Sequence, residues 1–321
     1  MSAPLRPRPA APRQAAATVG SARPGVFPRS LTVGVIGAGR VGAVLGAALS
    51  AAGHRVVAAT GGSGVNRNRL ALLPGVAPGS AAEVARAATD LLLIAVPDDS
   101  LACVVATLAD GGLLHPGQVV AHTSGAHGLA VLDPAAAVGA RPLALHPAMT
   151  FTGTPEDLGR LAGISYGVTA PTDLRPLAAR LVADLGGVPE WVGETDRPLY
   201  HAALAHGANH LVTLVNEAAD RLRDAGVTQP EKVLAPLLRA ALENALHYGD
   251  EALTGPVSRG DAGTVERHLA RLAATAPESV APYLALARRT ADRAIASGRL
   301  APADAASLLG VLADTQGQVA R

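Results

Sequence analysis

The chain has 321 residues, of which 49 % are hydrophobic and 17 % are charged, and its formal net charge is +1. This composition excludes a disordered polypeptide of high charge and low hydrophobicity, and the length is sufficient for two domains. The single cysteine, Cys103, excludes an internal disulfide and any multi-cysteine metal site, and we expect no metal. Cys103 lies within an apolar predicted helix, so we expect it to be a core residue. With 2 % aromatic residues and no basic excess, we expect no nucleic-acid partner.

The amino-terminal quarter of the chain is basic. Nine arginines and no acidic residue precede Glu83, whereas the rest of the chain carries a net charge of −8, so we expect the first quarter to meet an anion. Residues 1–29 are rich in proline, alanine and arginine without apolar periodicity, which predicts a disordered tail. Leu31–Gly53 is rich in glycine and interrupted by Arg40, so we predict no membrane span and expect a cytoplasmic protein with no membrane partner.

Short apolar strands alternate with helices from Leu31 to residue 194. In chain order the predicted elements are strand Thr32–Ile36, helix Val41–Ala52, strand Arg55–Ala59, strand Leu91–Val96, helix Ser100–Ala109, strands Gln118–His122, Arg141–His146 and Ile164–Ala170, helix Leu174–Leu185 and strand Val188–Val192. This alternation predicts an α/β fold, a Rossmann doubly wound and mostly parallel sheet, for residues 30–194.

The strand signals end after Glu194. The predicted elements are then the helices Arg197–Arg223, Pro230–Tyr248, Thr264–Ala274, Pro282–Ser297 and Pro302–Ala313. We therefore predict an all-helical carboxy-terminal domain over residues 195–321. Because these helices carry more alanine and leucine than one small domain can bury, we expect a homodimer formed through them.

A glycine-rich turn joins the first strand to the first helix. Gly37, Gly39 and Gly42 have the spacing of the dinucleotide fingerprint: the first glycine permits the tight turn, the second lets the backbone approach a pyrophosphate, and the third lets helix and strand pack closely. The intervening Arg40 and Val41 begin the helix, whose free N–H groups and dipole favour phosphate. We predict that these five residues bind a dinucleotide.

The end of the second strand indicates which dinucleotide is bound. An NAD-selective site has an acidic residue about 20 positions after the first glycine, and here that zone ends in Thr60 and continues with Ser63, Arg67 and Arg69 and no acid. Hydroxyl and guanidinium groups would hold a 2′-phosphate that a carboxylate would repel. We therefore predict NADP (NADPH) as the cofactor, although arginines of this kind also occur on solvated helix faces.

Polar side chains follow three further predicted strands. Val96 and Pro97 end one strand and would turn the backbone across the nicotinamide ribose; His122 and Ser124 end the next, and His146 ends a third. Ligands of doubly wound sheets bind beyond the carboxyl ends of the strands, so these segments should converge. We predict a catalytic or hydrogen-bonding role for Ser124 and a substrate-binding role for His146, while either histidine could instead be a structural strand-end residue.

The helical domain contributes the remaining candidates. His201 and Asn209 are two turns apart on its first predicted helix, and we predict that both are catalytic, with His201 the proton donor and Asn209 orienting the substrate oxygen. Thr254 and Arg259 lie in a predicted loop, where Arg259 would grip a substrate carboxylate. Asp261 in the same loop would equally suit a helix cap.

These motifs as a set resemble the bacterial Rossmann-like and domain-of-unknown-function 2520 proteins, over roughly residues 30–290. The segments that carry the resemblance are Gly37–Gly42, Ala95–Asp99, His122–Gly125, Leu145–Pro147 with Phe151, Leu199–His201, Asn209, Thr254–Pro256 and Arg259–Asp261. The family is similar to ketopantoate reductase, pyrroline-carboxylate reductase, prephenate dehydrogenase and the β-hydroxyacid dehydrogenases. The resemblance implies an NADP-binding domain, a helical domain and an oxidoreductase activity. Where the β-hydroxyacid relatives often place a catalytic lysine, this sequence has His201, and its only lysine is Lys232.

Three functions remain open on the sequence. The first is an NADP-dependent oxidoreductase that transfers a hydride to or from a small carbonyl, hydroxy or imino acid, with His201 as the acid. The second is a prephenate-dehydrogenase-like oxidation in which His146 or His122 is the base. The third is a regulatory protein that binds NADP(H) without turnover.

Overall fold

The computed structural model describes residues 28–61 and 69–319. Most of the predicted tail 1–29, together with Ser63 and Arg67, lies outside the described residues. The chain divides into two compact units, Met1–Leu204 and Ala205–Arg321. The predicted boundary at 194/195 stays a prediction; the helix Arg197–Leu204 lies between it and this division.

The first unit is built on one eight-stranded sheet. Its strands are β1 Thr32–Ile36, β2 Arg55–Ala59, β3 Ala77–Pro78, β4 Leu91–Ile94, β5 Val119–His122, β6 Arg141–Pro147, β7 Ser165–Thr169 and β8 Val188–Trp191. Their order across the sheet is β3-β2-β1-β4-β5-β6-β7-β8. All neighbours run parallel except β6 and β7, which pair antiparallel with His146 opposite Gly167. The predicted α/β fold with a mostly parallel sheet is confirmed.

Helices cover both faces of this sheet, which explains why its central strand β4 is apolar at every position. They are α1 Arg40–Ala51, α2 Ala81–Ala87, α3 Asp98–Asp110, α4 Asp133–Ala137, α5 Glu156–Arg160, α6 Arg175–Asp184 and α7 Arg197–Leu204. One core packs α1 and α6 against the sheet, and a second core packs α2 and α3 on the opposite face. β4 is buried along its whole length between them.

Cys103 is not a core residue. It lies on α3, as expected, but on the exposed side of that helix. The buried positions of α3 are Leu101, Val105, Leu108 and Ala109, which define a face that excludes position 103. The apolar composition of the segment alone therefore misplaced it, because helix composition does not reveal which face packs against the sheet.

The second unit is helical throughout its described residues. After a π-helical turn at Ala205–Asn209 it contains α8 His210–Asp224, α9 Pro230–Tyr248, α10 Ala262–Thr275, α11 Val280–Ala296 and α12 Pro302–Val319. Its core is formed by α10, α11 and α12 around residues such as Val265, Leu284 and Leu308. Within the described residues no helix is both long and apolar enough to cross a membrane.

The π-helical turn differs from the sequence prediction of one continuous helix over Arg197–Arg223. It contains Gly207, which is a poor helix former. A π turn holds more residues than an α turn, so the α-helical periodicity that places His201 and Asn209 on one face does not run unbroken through this segment.

Candidate active site

Two glycines of the amino-terminal turn are required by the packing of the protein itself. Gly37 has φ +91°, and a Cβ there would lie 2.4 Å from the carbonyl oxygen of Ala95. A Cβ on Gly42 would lie 2.2 Å from the carbonyl oxygen of Gly37. These contacts bring α1 against the ends of β1 and β4, as the fingerprint predicts.

Gly39 is different, because no residue in the described part of the chain requires it to lack a side chain. A Cβ there would have only one described neighbouring atom, 4.0 Å away, and the residue is the N-cap of α1 with no side-chain cap. Among the described residues, the space beside Gly39 at the amino terminus of α1 is therefore open. This is the arrangement that lets a phosphate reach a helix amino terminus.

Thr60 braces this turn. Its hydroxyl accepts a hydrogen bond from the Gly37 amide at 2.7 Å, and its carbonyl accepts one from the Ala38 amide at 2.9 Å. The hydroxyl proton of Thr60 remains available to a ligand. The side chain predicted to bind the cofactor thus also shapes the turn.

A cavity of about 480 Å³ extends from the glycine turn across the carboxyl ends of the strands. It is lined by Gly37, Gly39, Arg40, Val41, Arg69, Ala95, Val96, Pro97, Asp98, Thr123, Ser124, Gly125, His146 and His201. The structure therefore brings together most of the residues predicted for the first unit, and Gly42 packs behind them.

Arg40 and Arg69 lie at the glycine-turn end of this cavity. They flank Gly153, where a Cβ would lie 2.6 Å from Nε of Arg69 and 3.0 Å from Cα of Arg40. Asp157 is fully buried and holds this loop, since its carboxylate accepts hydrogen bonds from the amides of Thr152 at 2.7 Å and Gly153 at 2.8 Å. Burial would raise the pKa of Asp157, but these hydrogen bonds outweigh it and the pKa is lowered.

Two histidines form the opposite end of the cavity. A Cβ on Gly125 would lie 2.7 Å from Cδ2 of His201 and 3.0 Å from Nε2 of His146, so glycine makes room for both rings. The rings of His146 and His201 meet edge to face, with centroids 6.0 Å apart. Burial, followed by the positive charges of His201 and Arg197, lowers the pKa of His146 to about 4, so its imidazole is neutral near pH 7.

Tyr200 fixes the orientation of His146. Its hydroxyl lies 3.0 Å from Nδ1 of His146, and the two rings are perpendicular. The hydroxyl occupies a niche above Gly167, where a Cβ would lie 2.5 Å away. Burial raises the pKa of Tyr200, which keeps the phenol protonated. Tyr200 lies within the motif Leu199–His201, but the sequence predicts no role for it. The sequence of a helix does not reveal which residue of a distant strand its tyrosine contacts.

His122 has a structural position. It is fully buried, its Nε2 donates to the Gly128 carbonyl at 2.7 Å, and its Nδ1 accepts from the Ser124 amide at 3.2 Å. Burial lowers its pKa to about 4. Both ring nitrogens are thus committed to the loop that carries Ser124. The Ser124 hydroxyl accepts hydrogen bonds from the amides of Ala126 and His127 at 3.2 Å each and keeps its own proton for a ligand.

Arg197 is the functional residue that sequence reasoning missed. Its side chain is fully buried, and it donates to Oγ1 of Thr169 at 2.8 Å and to the carbonyl oxygens of Gly167 at 3.0 Å and of Ser124 and Ala144 at 3.3 Å. Within the described residues no carboxylate lies within 4 Å of it. Nothing in the sequence distinguishes this arginine, in the first turn of a helix, from a solvated one.

The remaining predicted residues belong to the second unit. Asn209 is exposed at the end of the π-helical turn. Thr254 and Arg259 line a separate cleft in that unit. Asp261 caps α10, since its carboxylate accepts from the Thr264 amide at 3.1 Å, as one of the two sequence interpretations expected.

The glycine turn, the open helix terminus and the strand-end cavity define a Rossmann-type ligand-binding protein with a helical second unit. Family models identify both parts: the Rossmann-like domain matches residues 16–147, and the domain of unknown function DUF2520 matches residues 164–290. One part of the chain thus matches the Rossmann-like model and another part matches the DUF2520 model, and the resemblance stated from the motifs is confirmed. No curated protein matches the chain in sequence.

Solved structures share this fold. A Bacteroides fragilis protein provisionally named an NADP oxidoreductase is 21 % identical, with a TM-score of 0.71 over 82 % of this chain and 99 % of its own. A reductive aminase from Aspergillus terreus, in complex with NADPH and ethyl-5-oxohexanoate, is 20 % identical, with a TM-score of 0.59 over 84 % of this chain and 95 % of its own. Plasmodium falciparum pyrroline carboxylate reductase with NADP bound is 12 % identical, with a TM-score of 0.54 over 83 % of this chain and 99 % of its own.

The two low histidine pKa values predict acid sensitivity. His122 and His146, with pKa values of about 4 in the folded protein, would bind protons near pH 6.5 in the unfolded chain. The unfolded state therefore binds more protons, and the free energy of unfolding decreases as the pH falls from about 6.5 towards 4, by up to about 3 kcal/mol per histidine. Urea unfolding between these pH values measures the effect.

His146→Gln should remove the contribution of His146 and so weaken the pH dependence of the free energy of unfolding. Cys103→Ser, an uncharged change on an exposed face, should leave that pH dependence as in the wild type. A free energy of unfolding that is constant over this range contradicts the buried, neutral state of both rings.

Proposed function

We propose that the protein is an NADP-dependent oxidoreductase that acts by hydride transfer on a small carbonyl, hydroxy or imino acid. The observation that carries the proposal is Gly39, whose missing side chain leaves open the approach to the amino terminus of α1. The cavity that begins there ends at Ser124, His146 and His201, which can bind and protonate a substrate oxygen or nitrogen.

The residues around the glycine turn suit NADP(H). Gly37, Gly39, Arg40 and Val41 would bind the pyrophosphate through the start of α1. Arg69 and Arg40 would meet the 2′-phosphate side, and β2 ends without an acidic residue that would repel it. Two of the solved structures that share the fold contain NADP or NADPH, which supports the same choice.

The polar groups at the strand-end side of the cavity suit proton delivery. NADPH, when bound, would supply the hydride. His201 would donate the proton to the substrate oxygen or nitrogen as the hydride reaches the adjoining carbon, and the Ser124 hydroxyl would donate a hydrogen bond to the substrate. His146, neutral and oriented by Tyr200, would position the substrate. Asn209 remains a proposed orienting residue from the second unit.

The alternative in which His122 is a catalytic base is disfavoured by its contacts. Its Nε2 donates a hydrogen bond to the Gly128 carbonyl and its Nδ1 accepts one from the Ser124 amide. Neither nitrogen is therefore free to accept a proton from a substrate. His146 is the histidine that a prephenate-dehydrogenase-like oxidation would have to use.

Gly39→Asp tests the cofactor assignment. A carboxylate placed beside the pyrophosphate would repel it, so the affinity for NADP should fall by about 100-fold or more, equivalent to roughly 3 kcal/mol. Isothermal titration calorimetry measures the change. Gly159→Asp adds the same charge at an exposed position with nothing within 4 Å and should bind NADP normally. Unchanged affinity in Gly39→Asp would remove the basis of the proposal.

His201→Ala tests the proton donor. Loss of a general acid should lower kcat by ~10²–10⁴-fold while NADP affinity is retained. Turnover is followed by NADPH absorbance with the acid that proves to be a substrate, and His247→Ala on α9 is the control.

If His146→Ala abolishes turnover and His201→Ala changes kcat by less than a factor of about 10, the acid is misassigned and the prephenate-dehydrogenase-like reaction is favoured. If the protein binds NADPH but oxidises it with no carbonyl or imino acid, the regulatory function replaces the enzymatic one.

We also propose a homodimer formed through the second unit. Apolar side chains are widely exposed on α8 and α9, with Val212 at 59 %, Leu237 at 62 % and Leu246 at 80 % exposure. Contiguous apolar surface of this kind marks an interface. A second copy would cover it by symmetry.

Light scattering should therefore give a mass of about 64 kDa, twice the 32.1 kDa of the chain. The double variant Leu237→Glu/Leu246→Glu should be monomeric, while Val188→Glu, at an exposed position of the first unit, should leave the mass unchanged. A wild-type monomer at micromolar concentration contradicts the dimer.

A further inference from the structure

The second unit contains a small cleft whose charged groups are all positive. It is lined by Leu253, Thr254, Ser258, Arg259 and Arg299 and has a volume of about 360 Å³. In the described part of the chain neither guanidinium has a carboxylate within 4 Å. Two arginines that face one cleft without a paired carboxylate are suited to bind an anion through charge-assisted hydrogen bonds.

The loop that carries Arg259 is rigid. Ser258 is buried and its hydroxyl donates to the Gly255 carbonyl at 3.1 Å, while the Asp261 amide donates to the Pro256 carbonyl at 2.9 Å. The Asp261 carboxylate, which is the nearby acid, is held by the Thr264 amide and hydroxyl, and these bonds lower its pKa ahead of any effect of Arg259. The backbone position of Arg259 is therefore set before any ligand arrives.

Gly260 brings this loop against the segment that carries Arg299. It has φ +73°, and a Cβ there would lie 3.0 Å from the Asp304 carbonyl oxygen and 3.1 Å from Leu300. A larger residue would separate the two segments. Close approach at Gly260 thus places the two guanidinium groups on the same cleft.

Thr254 also borders a larger cavity of about 470 Å³ in the same unit. Its walls include Leu214, Val257, Leu272 and Leu286, and they are mainly apolar. The polar groups of this cavity are paired with one another: the Ser279 hydroxyl donates to Glu217 at 2.6 Å and accepts from Arg221 at 2.8 Å, and His268 bonds the Tyr283 hydroxyl at 2.9 Å. A ligand in this cavity would therefore make mainly apolar contacts.

We propose that the second unit binds an organic acid with an apolar body. The carboxylate lies between Arg259 and Arg299 and accepts a hydrogen bond from Thr254, and the apolar part occupies the adjoining cavity. This binding is independent of the function proposed above, whose substrate lies at Ser124, His146 and His201 of the first unit.

The test is calorimetric titration of the full chain, without cofactor, with 3-phenylpropionate. 3-Phenylpropionate should bind saturably. The affinity should be at least about tenfold weaker for 3-phenylpropanamide, which lacks the negative charge, and for propionate, which lacks the apolar phenyl group. Arg259→Gln and Arg299→Gln should each weaken 3-phenylpropionate by about tenfold or more, and Arg239→Gln, a matched charge removal on α9, should not. Unchanged thermal unfolding of the variants excludes misfolding.

Ala218→Phe fills the apolar cavity from α8 and should weaken 3-phenylpropionate while leaving the weak binding of propionate unchanged. Equal affinities for 3-phenylpropionate, its amide and propionate, or displacement of 3-phenylpropionate by inorganic phosphate at lower concentration than by propionate, overturn the proposal. Binding of 3-phenylpropionate without NADPH turnover of any carbonyl or imino acid overturns the proposed function alone, and an affinity for 3-phenylpropionate that is unchanged in both arginine variants overturns this inference alone.

Discussion

The first unit depends on one buried cation. Arg197 donates hydrogen bonds to carbonyl oxygens of three chain segments: the loop after β5, strand β6 and strand β7. Burying a charge costs free energy unless its donors are satisfied, and here carbonyl oxygens and the Thr169 hydroxyl satisfy them without a carboxylate within 4 Å in the described part of the chain. The positive charge therefore stays largely uncompensated under the cavity.

Burial, with a smaller contribution from the Arg197 charge, lowers the pKa of His146 and His122 to about 4, so both rings are neutral hydrogen-bonding groups near pH 7. Arg197 also holds the Ser124 carbonyl, and with it the loop in which Ser124 presents its hydroxyl.

The three glycines of the glycine turn differ in whether the packing of the protein requires them. Gly37 and Gly42 are required by the contact between α1 and the sheet, whereas no described residue requires Gly39 to lack a side chain. In the second unit Gly260 resembles the first two, since its close approach to residues 300–304 brings the loop of Arg259 against the segment of Arg299.

The sequence by itself determined the alternation of strands and helices, the glycine turn and the change to an all-helical part, because these depend on local periodicity and on backbone conformations that only glycine adopts. It also indicated Ser124 and His146, since the carboxyl ends of parallel strands lie at one edge of a sheet, and His201 from its place on the first helix after the sheet. Only the tertiary structure decided that Arg197 is buried, that Tyr200 orients His146 and that Cys103 faces outward. It also showed the π-helical turn that ends at Asn209. These depend on which distant segments meet, and a side chain's type does not record its neighbours across the sheet.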